Sequence, residues 1–147
     1  MGDHRMGCVV CTFLVLPWLV TGQAVSQGHV PGPHRHAEGQ RLESPFQSTR
    51  ESVAAGAAVY AKHCAPCHGP NGLGNGRLAA GMAAYGARPS DLTDDVWEHG
   101  ASAGEIFVVI RDGIGPESQM AGYGGKLGET DMWHIVHYIR SLSDLPK

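Results

Sequence analysis

An all-α domain is what this 147-residue sequence predicts, and three observations carry the prediction. Apolar residues recur at helical spacing toward the C-terminus, as at Met132, Ile135, Val136, Ile139 and Leu142. Two Ser-x-x-Glu boxes, Ser48 to Glu51 and Ser102 to Glu105, stand where helices would begin, and no period-two strand pattern competes with them. The third observation is the pentapeptide Cys64-Ala65-Pro66-Cys67-His68, which sets two thiols and an imidazole on one helical turn.

In chain order, Met1 to Arg5 carries one arginine, and Cys8 to Val20 is a nearly unbroken apolar run of 13 residues interrupted by Thr12 and Pro17. A bilayer-spanning helix needs about 20 apolar residues. The run therefore predicts a secretory signal over 1–24, cut after Ala24 or Ser26, with an uncleaved membrane anchor as the alternative. Cys8 and Cys11 precede most of this run and are followed by Thr12, so they match neither a lipoprotein cysteine nor a second His-bearing motif. Removal of the signal leaves Cys64 and Cys67 as the mature chain's thiols, which suits an oxidising compartment.

Residues 25–48 are rich in Gly, Pro, Gln, Ser and His and read as a flexible linker. His29, His34 and His36 are metal-ligating types, but among these prolines a solvated segment is the stronger reading. The remaining domain, 49–147, opens with a helix from the Ser48 box to His63. A long Gly-rich loop is expected over Asn71 to Gly86 and a short helix over Asp95 to His99. A second long helix follows the Ser102 box, with Ile106, Val109 and Ile110 on one face, and ends at Gly113. A second loop, Gly113 to Gly128, leads into the last helix, Glu129 to Leu142.

Cys-x-x-Cys-His is the form of a c-type haem attachment site: each thiol adds across a haem vinyl group, and the histidine reaches the iron. Haem c is thus the expected cofactor, attached through Cys64 and Cys67 with His68 as an iron ligand. A thioredoxin-like dithiol would follow a strand, whereas Ala54 to Lys62 reads as helix. A structural zinc site would need four nitrogen or sulfur ligands. A glycine-rich domain of about a hundred residues builds only a small core, and a covalently held macrocycle supplies the missing apolar volume. Without haem the chain is expected to be largely unfolded. From Glu51 onward seven Lys or Arg face eleven Asp or Glu, a net charge of −4, and no basic patch points to nucleic acid.

Over about Ser52 to Leu142 the chain resembles the class I c-type cytochromes. Gly56 and Tyr60 stand eight and four positions before Cys64, like the family's small and aromatic residues where the first helix crosses the last, and Ile135 and Tyr138 stand where the last helix meets them. The resemblance implies a small cytochrome c fold of three to five helices wrapped around one covalently attached haem. It also implies a sixth iron ligand ahead of the last helix, and Met120 is the matching position. The family commonly has proline next and an aromatic two places further; here Ala121 replaces the proline and Tyr123 keeps the aromatic.

Met132 falls on the packing face of the last helix, Met82 in a stretch that resembles the family's variable loop on the proximal side, and His134 and His137 off the main apolar stripe, where solvent is expected. With His99 in a loop, bis-histidine ligation is the alternative. Pro89, in Arg88-Pro89-Ser90-Asp91-Leu92, matches the family proline whose carbonyl accepts from the proximal imidazole, and Arg88 and Trp97 are candidates to meet the haem propionates.

Ligation by His68 and Met120 closes both axial positions, which implies outer-sphere electron transfer rather than enzymatic chemistry. The expected role is a single-electron carrier in a periplasmic chain. Its partners would be a quinol-oxidising complex or dehydrogenase and a terminal oxidase or reductase, with a membrane tether through the N-terminal segment as an option. The alternatives are a dedicated subunit of an oxidase or dehydrogenase complex, and a haem enzyme or gas sensor.

Overall fold

The structure, a computed structural model, describes residues 1–2, 35–115 and 120–143. Nearly all of the signal over 1–24, with Cys8 and Cys11, and residues 25–34 of the expected linker, with His29 and His34, fall outside the described residues. Five α-helices follow one another: α1 (Arg50–His63), α2 (Ala65–His68), α3 (Ala79–Ala83), α4 (Ala103–Asp112) and α5 (Glu129–Leu142). Among the described residues β-pairing is confined to two isolated bridges, Gly113 with Ala121 and Gly124 with Leu127. None of the described helices is long and apolar enough to cross a membrane.

The frame is the crossing of α1 and α5. A side chain at Gly56 would collide with the backbone carbonyl of His134, so only glycine lets the helices approach this closely. One turn on, the rings of Tyr60 and Tyr138 meet at 4.9 Å, and the Tyr60 hydroxyl donates to the Gly69 carbonyl at 2.9 Å. Ile135 and Val136 are fully buried beneath the crossing. On the other side of α5, Trp133 stacks on Phe107 of α4 at 4.2 Å. Met132 is buried in this core, as its place on the helix face implies.

Local chemistry sets the helix ends. The α4 box forms as read, with Ser102 Oγ accepting from the Glu105 N–H and Glu105 reaching back to the Ser102 N–H. At α1 the box lies one residue later than expected: Thr49 caps, and Ser52 rather than Glu51 reaches back. A hydroxyl at the third helical position performs the carboxylate's task and is buried as it does so. The short helix expected at Asp95–His99 is absent, because Asp91 and Asp94 bind the N–H groups of Thr93 and Val96 and hold the backbone in turns. A short helix, α3, forms instead inside the expected Asn71–Gly86 loop.

The main departure lies before α1. Expected as the end of a flexible linker, the segment from Glu38 to Phe46 packs against the helices. Gly39 and Gly104 touch backbone to backbone, so a side chain on either would strike the other segment. Leu42 and Phe46 pack on the core, and Arg111 makes paired hydrogen bonds to Glu38 at 3.1 and 3.2 Å. This cover explains why α4 buries Phe107 and Val108 as well as the expected Ile106 and Ile110. It also corrects His137, expected in solvent. Its ring is buried between Ser52 Oγ (3.0 Å) and Ser44 Oγ (3.1 Å), with the Phe46 ring edge-on.

Candidate functional site

A cavity of about 310 Å³ opens between α2, the loop through residues 87–100, α4 and the loop after it. Cys64, Cys67, His68 and Met120 all line it.

One wall is a single turn. Cys64 ends α1 and caps α2, and its carbonyl accepts from the N–H groups of both Cys67 (3.1 Å) and His68 (2.9 Å). Pro66 occupies the first turn of α2, where a missing N–H costs no helical bond. The thiols, three residues apart, therefore share a face. Gly69 ends the turn at φ +81°, a conformation that favours glycine.

The His68 ring is fixed by a 3.0 Å contact between Nδ1 and the Ser90 carbonyl. A carbonyl only accepts, so Nδ1 carries the proton and Nε2 keeps a lone pair for a metal. Burial pushes the imidazole pKa below its ordinary value, against the opposing effect of that hydrogen bond, which favours the neutral, ligating form. The sequence assigned this carbonyl to Pro89; the structure assigns it to the next residue. The Pro89 carbonyl instead lies against Gly74, where a side chain would strike it. A backbone acceptor leaves no side-chain signature, so this one-residue difference was not readable.

The Cys64 thiol is not poised for thiol redox chemistry. Burial, reinforced by Cys67, pushes the Cys64 thiol up to about 12, far from the low values of reactive dithiols. No disulfide joins the two cysteines.

Another wall is a loop. Leaving α4, Ile114 donates its N–H to the Met120 carbonyl, and Tyr123 and Gly124 donate to Ile110 and Arg111 at 2.9 and 2.8 Å. These bonds bring Met120 back to the cavity. Ile106, Val109 and Ile110 of α4 and Ile139 of α5 form an apolar floor, and Val109, expected to share the packing face, is half-buried and faces this cavity. Leu92 and Trp97 add to the apolar lining, and Arg88 also reaches it.

Among the rivals for the second ligand, His134 and His137 do not line the cavity and Met132 is in the core. Met82 and His99, both weighed as rivals from the sequence, do line it. Met82 comes from α3, which packs on the α2 turn that carries His68, whereas Met120 comes from the loop that follows α4. Among the described residues no group of three or more His, Cys, Asp or Glu could hold a metal ion, His36 included. Two thiols on one turn, a neutral imidazole, a thioether and an apolar floor form a donor set that fits a covalently held iron macrocycle.

A family model described as cytochrome c oxidase, cbb3-type, subunit III matches residues 51–139. The cbb3-type cytochrome c oxidase subunit FixP of Azorhizobium caulinodans is 32% identical over 87 residues, covering 59% of this chain and 26% of that protein. A thiosulfate dehydrogenase of Stutzerimonas stutzeri is 31% identical over 124 residues, covering 84% of this chain and 36% of that protein. The chain thus spans about a quarter to a third of the length of these relatives. Among solved structures, the reducing HAO-like protein complex of Kuenenia stuttgartiensis superposes with a TM-score of 0.59 at 25% identity, covering 67% of this chain and 47% of that one. Cytochrome cL of Methylophaga aminisulfidivorans superposes at 0.52 and 22% identity, covering 69% and 67%, and supports the fold alone.

Proposed function

Because the chain belongs to the cbb3-type cytochrome c oxidase subunit III family, whose members are c-type cytochromes with covalently attached haem, we propose that it is a monohaem single-electron carrier. The observation that carries this reading is the convergence of Cys64, Cys67 and His68 on one wall of a cavity with Met120 on the other. Cys64 and Cys67 would hold the haem through thioether links, and His68 Nε2 and the Met120 sulfur would be the groups that ligate its iron. The haem supplies reversible Fe(III)/Fe(II) chemistry when bound. The chain's own contribution is to hold that chemistry still. Ser90 fixes the imidazole tautomer, and the floor of Ile106, Val109, Ile110 and Ile139 keeps water from the ring. With both ligands in place no coordination position would be left open, which favours outer-sphere electron transfer over catalysis.

The N-terminal run over 1–24 directs the chain to the periplasm, as a cleaved signal or as an anchor. Partners are redox proteins: a quinol-oxidising complex or dehydrogenase as donor, and a terminal oxidase or reductase as acceptor. The match to an oxidase subunit family favours a second reading, a dedicated cytochrome subunit of such a complex. The similarity to a thiosulfate dehydrogenase supports a third, a haem enzyme in which Met120 is displaced.

Replacing Met120 by Ala in the haem-loaded protein is expected to abolish the weak sulfur-to-iron charge-transfer band of the ferric form; survival of that band would remove Met120 from the ligand set. The reduced wild-type protein is expected to refuse carbon monoxide at neutral pH, and ready binding would favour the enzyme reading. A soluble monomer on purification supports a shuttle, and co-purification with a larger oxidoreductase supports the subunit.

A further inference from the structure

Where the family commonly fixes the backbone after its methionine with a proline, this chain has Ala121, an exposed residue. Rigidity of the Met120 loop therefore needs another source, and the structure holds residues 120–127 from two sides. On one side are the backbone bonds to the end of α4, from Ile114 to Met120 and from Tyr123 and Gly124 to Ile110 and Arg111. On the other side, the Tyr123 hydroxyl donates to the His63 carbonyl at 2.9 Å, and the two rings meet edge-on at 5.7 Å. His63 is the last residue of α1 and is bonded directly to Cys64. Its carbonyl is one of those that a helix end leaves without an intrahelical donor.

The contact is braced. Lys126 and Leu127 donate their N–H groups to the Tyr123 carbonyl, while Lys126 Nζ binds the Gly122 carbonyl and stands over the Tyr123 ring at 5.7 Å. One side chain thus ties the loop that carries Met120 to the residue preceding Cys64.

We propose that Tyr123 is a positioning residue: its hydroxyl, latched on His63, sets the separation between Met120 and the Cys64–His68 turn and replaces the restraint lost with the proline. The inference rests on the reading of Met120 as the second ligand. Loss of one such hydrogen bond weakens the closed loop by an amount that corresponds to about a 3- to 10-fold population shift.

The test uses the ferric, haem-loaded protein and imidazole as an exogenous ligand. Tyr123→Phe is expected to keep the charge-transfer band at neutral pH, to bind imidazole about 3- to 10-fold more tightly, and to lose the band at lower alkaline pH than wild type. A lowered unfolding midpoint with unchanged imidazole affinity would make Tyr123 a packing residue only and overturn the proposal. Met120→Ala separates the two readings. If that variant keeps the band, Met120 is not the ligand and the latch falls with it. If it loses the band while Tyr123→Phe matches wild type, only the latch fails. Amide exchange in the wild-type holoprotein requires no variant: the Tyr123 and Gly124 amides are expected to open together with the last turn of α1, and their independent opening would overturn the latch.

Discussion

The two walls of the cavity present their donors by different means. The Cys64–His68 wall is five consecutive residues on a turn between α1 and Gly69, with its geometry fixed by bonds to the Cys64 carbonyl. The Met120 wall is a loop whose shape depends on residues of α4 and on His63, 60 positions from Tyr123. A ligand on a helical turn is placed by local backbone geometry; a ligand on a loop is placed by tertiary bonds. The first arrangement needs distant segments only for the Ser90 carbonyl that orients His68 and for the helix crossing behind it, whereas the second is only as firm as its ties.

Four substitutions sharpen that contrast, the largest first. Gly56→Val strikes the support common to both walls, since its side chain would run into the His134 carbonyl. Relief requires α1 and α5 to separate, so a destabilisation of about 3 kcal/mol or more is expected, measured as loss of soluble, haem-containing protein. Cys67→Ala breaks only the first wall. Most covalent haem should disappear from denaturing gels stained for peroxidase activity, and an undiminished stain would remove Cys67 from the attachment site.

Gly113→Ala breaks only the second wall. Gly113 sits at φ +77° and ψ −171°, a conformation essentially confined to glycine, and an added Cβ would lie 2.6 Å from the Met120 carbonyl oxygen. About 1–3 kcal/mol of strain at this point should weaken the charge-transfer band while covalent haem is retained. Equal loss of both signals would mean that the walls are not independent.

His137→Gln touches neither wall and has the smallest expected effect, about 1 kcal/mol from a disturbed buried hydrogen bond. Its value lies in pH. Burial, with His134 nearby, holds the folded pKa of His137 below its ordinary 6.5. The unfolded chain therefore binds the proton first, so the contribution is fully present above about pH 6.5 and is lost as pH falls through the lower folded value. The unfolding midpoint of wild type should fall more steeply between pH 7 and 5 than that of the variant, with the charge-transfer band unaffected at pH 7.

Legibility followed the same divide. The α4 cap, the range of α5 and the thiols with their histidine were readable because each depends on residues within a turn or two, while Gly56 and Tyr60 at the crossing were reached through resemblance. The Ser90 carbonyl, the seat of His137 and the packing of Glu38 to Phe46 were not. Average composition over 25–48 is polar, and it masks two anchors, Leu42 and Phe46, and a glycine contact that only a partner segment makes meaningful. Met120 was reached through resemblance, because no local pattern marks a loop methionine as a ligand.

By itself the sequence determined the helical class, the attachment turn and the packing face of α5, since 3.6-residue periodicity and i, i+3 spacing are properties of the chain's own backbone. Tertiary structure alone decided which carbonyl orients His68, which segment covers α4 and what ties the Met120 loop to His63. Those choices are made by backbone groups and by close approach between distant segments. Every residue offers the same carbonyl and N–H, so their selection is settled only when the helices have packed.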